Sequence, residues 1–123
     1  MARFDKYNPV SGGFRAPLNA AYTGSTAIIG VGINGSGKVV VGSGITGVIG
    51  VICTPTSKAA GDVIDVMTDG EIVQAGLVVG TLYTANTTTG VLSSGAPSAT
   101  QTPVGWTVEA DRVIIRAQRG LIV

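Results

Sequence analysis

The sequence predicts an all-β fold, and three observations favour that class: the residue types, the absence of helical periodicity, and frequent glycine. The 123 residues include 17 Val, 11 Ile and 14 Thr, but only 5 Leu and 2 Glu. β-Branched side chains are stiff at χ1 and pack well on a pleated sheet, whereas strong helix formers are scarce here. No window carries a sustained i, i+3, i+4, i+7 apolar pattern, and 19 Gly and 5 Pro interrupt the apolar runs. We therefore expect many short strands joined by turns.

Three apolar runs in the first half of the chain predict short strands. They comprise residues 26–31, 38–42 and 45–53. Each is rich in valine or isoleucine and is bounded by glycine, serine or proline, which is typical of short buried strands. Glycine inside a strand marks a bulge or a bend, so we expect the third strand to be bent or bulged at Gly47 and Gly50.

The next segment, residues 61–75, predicts a β-hairpin. Its Asp69-Gly70 pair is able to adopt the positive φ angles of a tight type I′ turn between two β-rich arms. Residues 81–83 and 91–92 flank another turn, which is closed by a glycine. We expect both pairs of arms to be antiparallel.

Alternation predicts two half-buried strands near the end of the chain. In the first, every second residue from Trp106 to Ala110 shares one face, and the residues between them share the other. In the second, polar and apolar residues alternate from Arg112 to Gln118, with Ile114 as the exception. Before these strands, residues 93–103 are small, polar and proline-bearing, which predicts a surface loop.

The first 22 residues differ from the rest, because they hold four of the six aromatic residues and three of the eight basic ones. Two prolines and two glycines interrupt this segment, so we expect no regular element in it. We interpret residues 1–22 as an extended N-terminal arm and residues 23–123 as a core domain. The candidate contact residues of the arm are Arg3, Phe4, Lys6, Tyr7, Phe14, Arg15 and Tyr22.

The composition argues against catalysis and against several kinds of partner. The chain has no histidine, which is the commonest general base and a common metal ligand. Cys53 is the only cysteine, so no disulfide or cysteine cluster can form within the chain, and its apolar surroundings predict a buried, inert thiol. The net charge of +1 gives no overall attraction to nucleic acid or to anionic membranes. We expect no enzyme activity, cofactor or metal, and no nucleic acid, membrane or small-molecule substrate as partner.

Glycine patterns that match nucleotide-binding motifs have a simpler interpretation. Residues 30–35 and 42–47 match GxGxxG, but that motif must open a helix, and each match here runs into another β-rich stretch. Residues 32–38 match the GxxxxGK of a P-loop, but Val39 stands where a magnesium-binding hydroxyl is required. We therefore expect turn and bulge glycines, with Lys38 as a solvated charge at a strand end.

Four segments between Lys38 and Arg116 form a recognisable series. They read KVVVGSGITGVIGV, AAGDVIDVMTDGEIV, AGLVVGTLYTANTTTGVLSSG and PVGWTVEADRVIIR. This series resembles the small phage head-decoration, or capsid cement, proteins, in which a GD-x-V-x-V-x-x-x-G segment precedes a G-x-x-Y…G-x-L hairpin and a P-V-G strand. The positions that match are Gly61-Asp62, Gly70, Gly80, Tyr83, Gly90 and Val104-Gly105. Trp106 departs from the pattern, because a smaller residue is usual beside that glycine.

The resemblance implies a small β-barrel or β-tulip-like core of short antiparallel strands that assembles as a homotrimer. It also implies attachment to the major capsid protein on the outer surface of the virion, with no catalytic residues. Residues 1–37 lie outside the matching segments, so the role of the arm is predicted from its residues alone: its large aromatic and basic side chains are typical of interface hot spots, and we expect it to dock along neighbouring capsid subunits. The main alternative is a receptor- or glycan-binding fibre or tail domain, and a further one is another structural β-protein of the virion.

Overall fold

The structure is a computed structural model, and it describes residues 12–117. As predicted, this part of the chain is all-β: it contains nine strands, and none of its residues is helical. It therefore has no helix that is long and apolar enough to cross a membrane. The strands are β1 (Gly12–Pro17), β2 (Ile29–Ile33), β3 (Val39–Val41), β4 (Gly50–Ile52), β5 (Val63–Val73), β6 (Leu82–Asn86), β7 (Leu92–Ser94), β8 (Gln101–Glu109) and β9 (Arg112–Arg116).

The strands form one antiparallel sheet that curls into a half-barrel. Eight of them follow the order β3-β2-β4-β5-β9-β8-β6-β7, and β1 pairs with β5. The sheet curls far enough for the start of β2 to meet the turn after β6. The Gly30 N–H donates to the Gly90 carbonyl at 2.7 Å, and Ile29 bridges to Val91.

The core lies on the concave side and is built mainly from valine and isoleucine, as the β-branched composition predicts. One cluster consists of Ile28, Val48, Val51, Tyr83, Ala85, Val104, Val113 and Ile115. A second cluster consists of Leu18, Val31, Val39, Ile52, Ile64 and Val66. Short β-branched side chains fill the narrow interior of a curled sheet without the larger volume that aromatic residues would need.

The predicted hairpin at residues 61–75 is wrong, because β5 runs unbroken from Val63 to Val73. Asp69 and Gly70, the predicted turn, lie inside the strand and pair with Arg116 and Ile115 of β9. Long-range pairing outweighs the local turn preference here, since each residue of the pair has a cross-strand partner. The chain turns later, in the segment from Gln74 to Gly80.

Three further features differ from the prediction: the extent of one strand, the extent of one loop and the burial of Cys53. Within residues 45–53 only Gly50–Ile52 forms a strand, because Gly44 and Gly47 have positive φ angles and the chain turns there. The predicted loop at 93–103 is shorter, since β7 extends to Ser94 and β8 begins at Gln101. Cys53 was predicted to be buried, but it follows the last residue of β4 and is exposed.

Both β8 and β9 are half-buried, as predicted, but in β8 the face that carries Thr107 is buried instead of the apolar face. Val113 and Ile115 of β9 are fully buried. In β8, Thr107 is buried, whereas Trp106 and Val108 are 39% and 50% exposed. Val104 is an extra residue opposite β6, where Tyr83 pairs with Gly105 and Thr84 with Pro103. This bulge shifts the alternation, so that Val104 enters the core while Trp106 faces outwards.

The glycine-rich segments form strands and turns, as predicted. Residues 32–38 comprise the end of β2 and the turn into β3, and the Asn34 side-chain oxygen accepts hydrogen bonds from the N–H groups of Ser36 and Lys38. Lys38 is exposed immediately before β3. Gly30 is different, because it is buried where β2 crosses β6. A Cβ atom there would lie 2.5 Å from Cβ of Ala85 and 3.0 Å from Cγ1 of Val48.

Replacing Gly30 with alanine should destabilise the fold, because the added methyl group forces β2 away from β6 at the point where the sheet curls. Overpacking of this kind costs about 1–3 kcal/mol. Gly35→Ala is the matched control, since a Cβ atom at Gly35 meets nothing within 4 Å. Urea unfolding should show a lower midpoint for Gly30→Ala and a change within about 0.5 kcal/mol for Gly35→Ala. Equal stability of the two variants would contradict the close approach of β2 and β6.

Candidate functional site

The predicted contact residues of the arm divide into two groups. Arg3, Phe4, Lys6 and Tyr7 lie outside the described residues. Phe14, Arg15 and Tyr22 lie within them, in a segment that contains β1. Because β1 pairs with β5 over Gly12–Pro17, the prediction of no regular element in the first 22 residues is wrong for this part.

The two described aromatic residues of the arm pack against the chain's own core. Phe14 is partly buried against the second core cluster, and its register partner is Val66 of β5. Tyr22 is partly buried against the same cluster, and its backbone exchanges two 2.8 Å hydrogen bonds with Lys58. Burial, and to a lesser extent the nearby Cys53, raise the pKa of the Tyr22 phenol above its usual range.

Arg15 points to solvent from the middle of β1. Its Nε lies 2.9 Å from a carboxylate oxygen of Asp65, its register partner on β5, and both side chains are largely exposed. An exposed ion pair of this kind contributes little to stability. Arg15 is therefore accessible to a partner, whereas Phe14 and Tyr22 are already used in packing.

A second surface lies on the convex side of the sheet, and we call it the Trp106 face. One cross-strand row runs from Glu71 on β5 to Ile114 on β9, Trp106 on β8 and Leu82 on β6, each residue paired with the next. The row places three apolar side chains side by side on the outside of the neighbouring strands β9, β8 and β6. Leu82 and Ile114 are partly buried, and Trp106 is exposed over two fifths of its area.

Charged side chains flank this apolar row on both sides. On one side, Arg112 lies 2.9 Å from Glu71 and 2.6 Å from Glu109, and its hydrogen bond to Glu71, together with the charge of Glu109, raises the pKa of the guanidinium. On the other side, Arg116 lies 3.2 Å from Asp69. These ion pairs keep the side chains of Arg112 and Arg116 next to the apolar row.

Arg116 also connects the charged rim to the apolar row. Its guanidinium carbon lies 5.7 Å from the centre of the Trp106 ring, within the range of a cation–π interaction. Tryptophan and arginine are the residues most enriched at the centres of protein interfaces. The Trp106 face is therefore suited to contact another polypeptide.

Four exposed valines occupy the end of the sheet next to the β8–β9 turn. They lie on β5, on β8 and on the segment Gln74–Gly80, which is hydrogen-bonded to β8 and to that turn: the Leu77 N–H donates to Ala110 and the Gly80 N–H to Thr107. These residues are Val73, Val78, Val79 and Val108, each at least half exposed. They extend the apolar area of this side of the molecule.

Within residues 12–117, no group of three or more histidine, cysteine or acidic side chains is placed to hold a metal ion. The exposed apolar and charged groups instead form the features of a protein-binding surface, with apolar side chains inside a charged rim. From the sequence, Trp106 was predicted to lie on one face of a half-buried strand and was noted as a departure from a family pattern, but the row was not predicted. Leu82 and Ile114 join Trp106 only through pairings of residues far apart in the chain, and no local pattern reports such pairings.

The protein belongs to the fold class of small antiparallel sheets that curl into a half-barrel, and solved structures share this fold. One of them comes from Mycobacterium phage Patience: it superimposes with a TM-score of 0.79 at 17% sequence identity, covering 95% of this chain and 96% of that chain. At this identity the likeness shows a common fold, extending over nearly the whole length of both chains. No family model matches the sequence, and no curated protein matches it either.

Replacing Tyr22 with phenylalanine should reduce the loss of stability at alkaline pH. Because the folded state raises the phenol pKa, the native protein holds this proton more tightly than the unfolded chain does. The resulting stabilisation is complete below the unfolded pKa and is lost as the pH rises through the folded value. Urea unfolding at pH 8 and at roughly pH 11 should show a smaller difference for Tyr22→Phe than for the parent protein. An identical difference in the two proteins would show that Tyr22 is not perturbed.

Proposed function

We propose that this protein is a structural component of a phage virion, and that it decorates and stabilises the outer surface of the capsid by binding the major capsid protein. The observation that carries the proposal is the fold shared with a phage protein over nearly the full length of both chains. The resemblance of residues 38–116 to head-decoration proteins supports the capsid as the location. We also propose that the role requires no catalysis and no cofactor.

The N-terminal arm is the part that we propose binds the shell. Arg3, Phe4, Lys6 and Tyr7 combine large rigid aromatic groups with charge-assisted hydrogen-bond donors, which is the chemistry of interface hot spots. Arg15 is exposed on β1, where it can extend the same contact. Ordering such a segment on binding costs about 2–5 kcal/mol, so each single arm binds weakly.

Assembly as a homotrimer offsets this cost. Once one arm of a trimer is bound, the effective concentration of the other two at neighbouring capsid subunits is high, and all three must release together before the trimer leaves. Such a trimer joins several capsid subunits and resists the pressure of packaged DNA. The exposed valines beside the β8–β9 turn supply apolar surface of the kind that buries well between subunits.

Deleting residues 1–11 should abolish binding to capsids while leaving the fold intact. The deletion stops before Gly12 because β1 pairs with β5 and belongs to the folded unit. We expect the parent protein to co-sediment with decoration-free capsids and the truncated protein to stay in the supernatant. Lys38→Ala is the control, since Lys38 is an exposed charge in the β2–β3 turn and should not affect binding.

Light scattering on the same samples separates loss of the arm from loss of assembly. The truncated protein should retain the parent's oligomeric state, which we expect to be a trimer with three times the 12.3 kDa of one full chain in the parent. Full occupancy of capsids by the truncated protein would refute the role of the arm. Absence of capsid binding by the parent protein itself would refute the proposed function.

A further inference from the structure

We propose that Asn34 is a site of spontaneous deamidation, and that the reaction opens the turn between β2 and β3. Asn34 and Gly35 lie in the segment that matches the P-loop pattern, and the proposed function does not use them. In the reaction, the main-chain nitrogen of Gly35 loses its proton and bonds to the side-chain carbon Cγ of Asn34. The bond from Cγ to Nδ2 breaks, ammonia leaves, and a succinimide ring remains. Water then opens the ring to aspartate or isoaspartate.

The residue after each asparagine decides how easily its nitrogen reaches Cγ. The four asparagines of the chain are followed by Pro9, Ala20, Gly35 and Thr87. Proline has no N–H to lose, and a side chain on alanine or threonine hinders the approach. Gly35 has no side chain, is exposed, and has open space where a Cβ atom would lie. Base and water therefore reach the reacting atoms from solvent.

The β2–β3 turn also places hydrogen-bond donors on the carboxamide of Asn34. Its Oδ1 atom accepts the N–H groups of Ser36 at 2.9 Å and of Lys38 at 3.0 Å. Negative charge develops on this oxygen when Cγ is attacked, and donors aimed at such an oxygen stabilise the intermediate. The turn thus polarises the carboxamide, and Gly35 leaves the attacking nitrogen uncrowded.

Asn86 provides a comparison within the same protein. Its Oδ1 atom accepts the N–H groups of Thr88 at 2.8 Å and of Thr89 at 2.9 Å, so its carboxamide has a similar pair of donors. The next residue, however, is Thr87, whose branched side chain crowds its own main-chain nitrogen. We therefore expect Asn86 to keep its amide under conditions in which Asn34 loses it.

Loss of the amide matters because Asn34 closes the turn. Its N–H donates to the Lys38 carbonyl, its carbonyl accepts from Gly37, and its Nδ2 donates to Oδ1 of Asn19 at 3.0 Å. An aspartate here keeps the acceptor oxygens, and the exposed side-chain amide of Asn19 can turn to donate to it. An isoaspartate instead carries the main chain through Cβ and Cγ. This adds one carbon atom to a tight turn and breaks its hydrogen-bond pattern.

Ageing of the purified protein in mildly alkaline buffer tests the site, because base removes the proton from the attacking nitrogen. Peptide mapping should find products about 1 Da heavier at Asn34, with Asn19 and Asn86 unchanged when half of Asn34 has reacted. Gly35→Ala should react about tenfold more slowly, since its Cβ atom crowds the nitrogen. The turn accepts this substitution, because Gly35 has no positive φ angle.

Three results would overturn the assignment of the site. The first is a reaction at Asn86 as fast as that at Asn34. The second is an equal rate in Gly35→Ala and in the parent. The third is an Asn34 amide that survives in the folded protein after an unfolded peptide of residues 30–40 has lost it.

Urea unfolding of the aged protein tests the effect on the turn. Anion exchange separates the products, since each adds one negative charge to a chain of net charge +1. The isoaspartate form should unfold at a lower urea midpoint than the parent, whereas Asn34→Asp should unfold near the parent's midpoint. Gly35→Ala aged for the same period should keep its own midpoint. An isoaspartate form as stable as the parent overturns the claim that the reaction opens the turn.

Discussion

The rest of the structure depends on the pairing of β5. This strand is the longest in the described part of the chain, and β1, β4 and β9 all pair with it. Its first half carries β1 and its second half carries β9, so that Asp69 is the register partner of both Gly12 and Arg116. A break at Asp69-Gly70 would separate these two pairings, and with them the two halves of the sheet. Continuity of β5 therefore connects the N-terminal segment to the strands that carry the Trp106 face.

The same constraint places β1, which carries the exposed Arg15, next to the Trp106 face. The core is filled by short β-branched side chains, so most of the large aromatic groups are left for the periphery: Phe14 and Tyr22 cover the edge of the second core cluster, and Trp106 faces outwards. The bulge at Val104 produces the outward orientation of Trp106 by shifting the alternation of β8. The ion pairs of Arg112 and Arg116 then fix the rim. The ion pair of Arg116 with Asp69 is exposed and contributes little to the stability of the fold.

The sequence predicted those elements in which the local pattern and the final environment agree. The alternation of polar and apolar residues in β9 was sufficient to predict the strand and its buried face, because one face of β9 lies on the core and the other faces solvent. The prediction of a turn at Asp69-Gly70 was wrong because these residues pair with residues of β9 that lie more than forty positions further along the chain, and a local pattern does not indicate such a pairing. Cys53 appeared buried because its neighbours in sequence are apolar, yet β4 ends one residue earlier. The Trp106 row could not be predicted for a similar reason. Its residues lie on separate strands, and they become neighbours only through pairings that no local sequence pattern indicates.

The central proposal, that this protein is carried on the outside of a phage head, is tested most directly by imaging of virions. Virions assembled in cells that express an epitope-tagged copy of this chain can be labelled with gold-conjugated antibody and examined by electron microscopy. The account predicts label distributed over the outer surface of intact heads, with none on the tails. Label confined to tails or fibres, or virions that carry no label although the tagged chain is present in the cells, would contradict it.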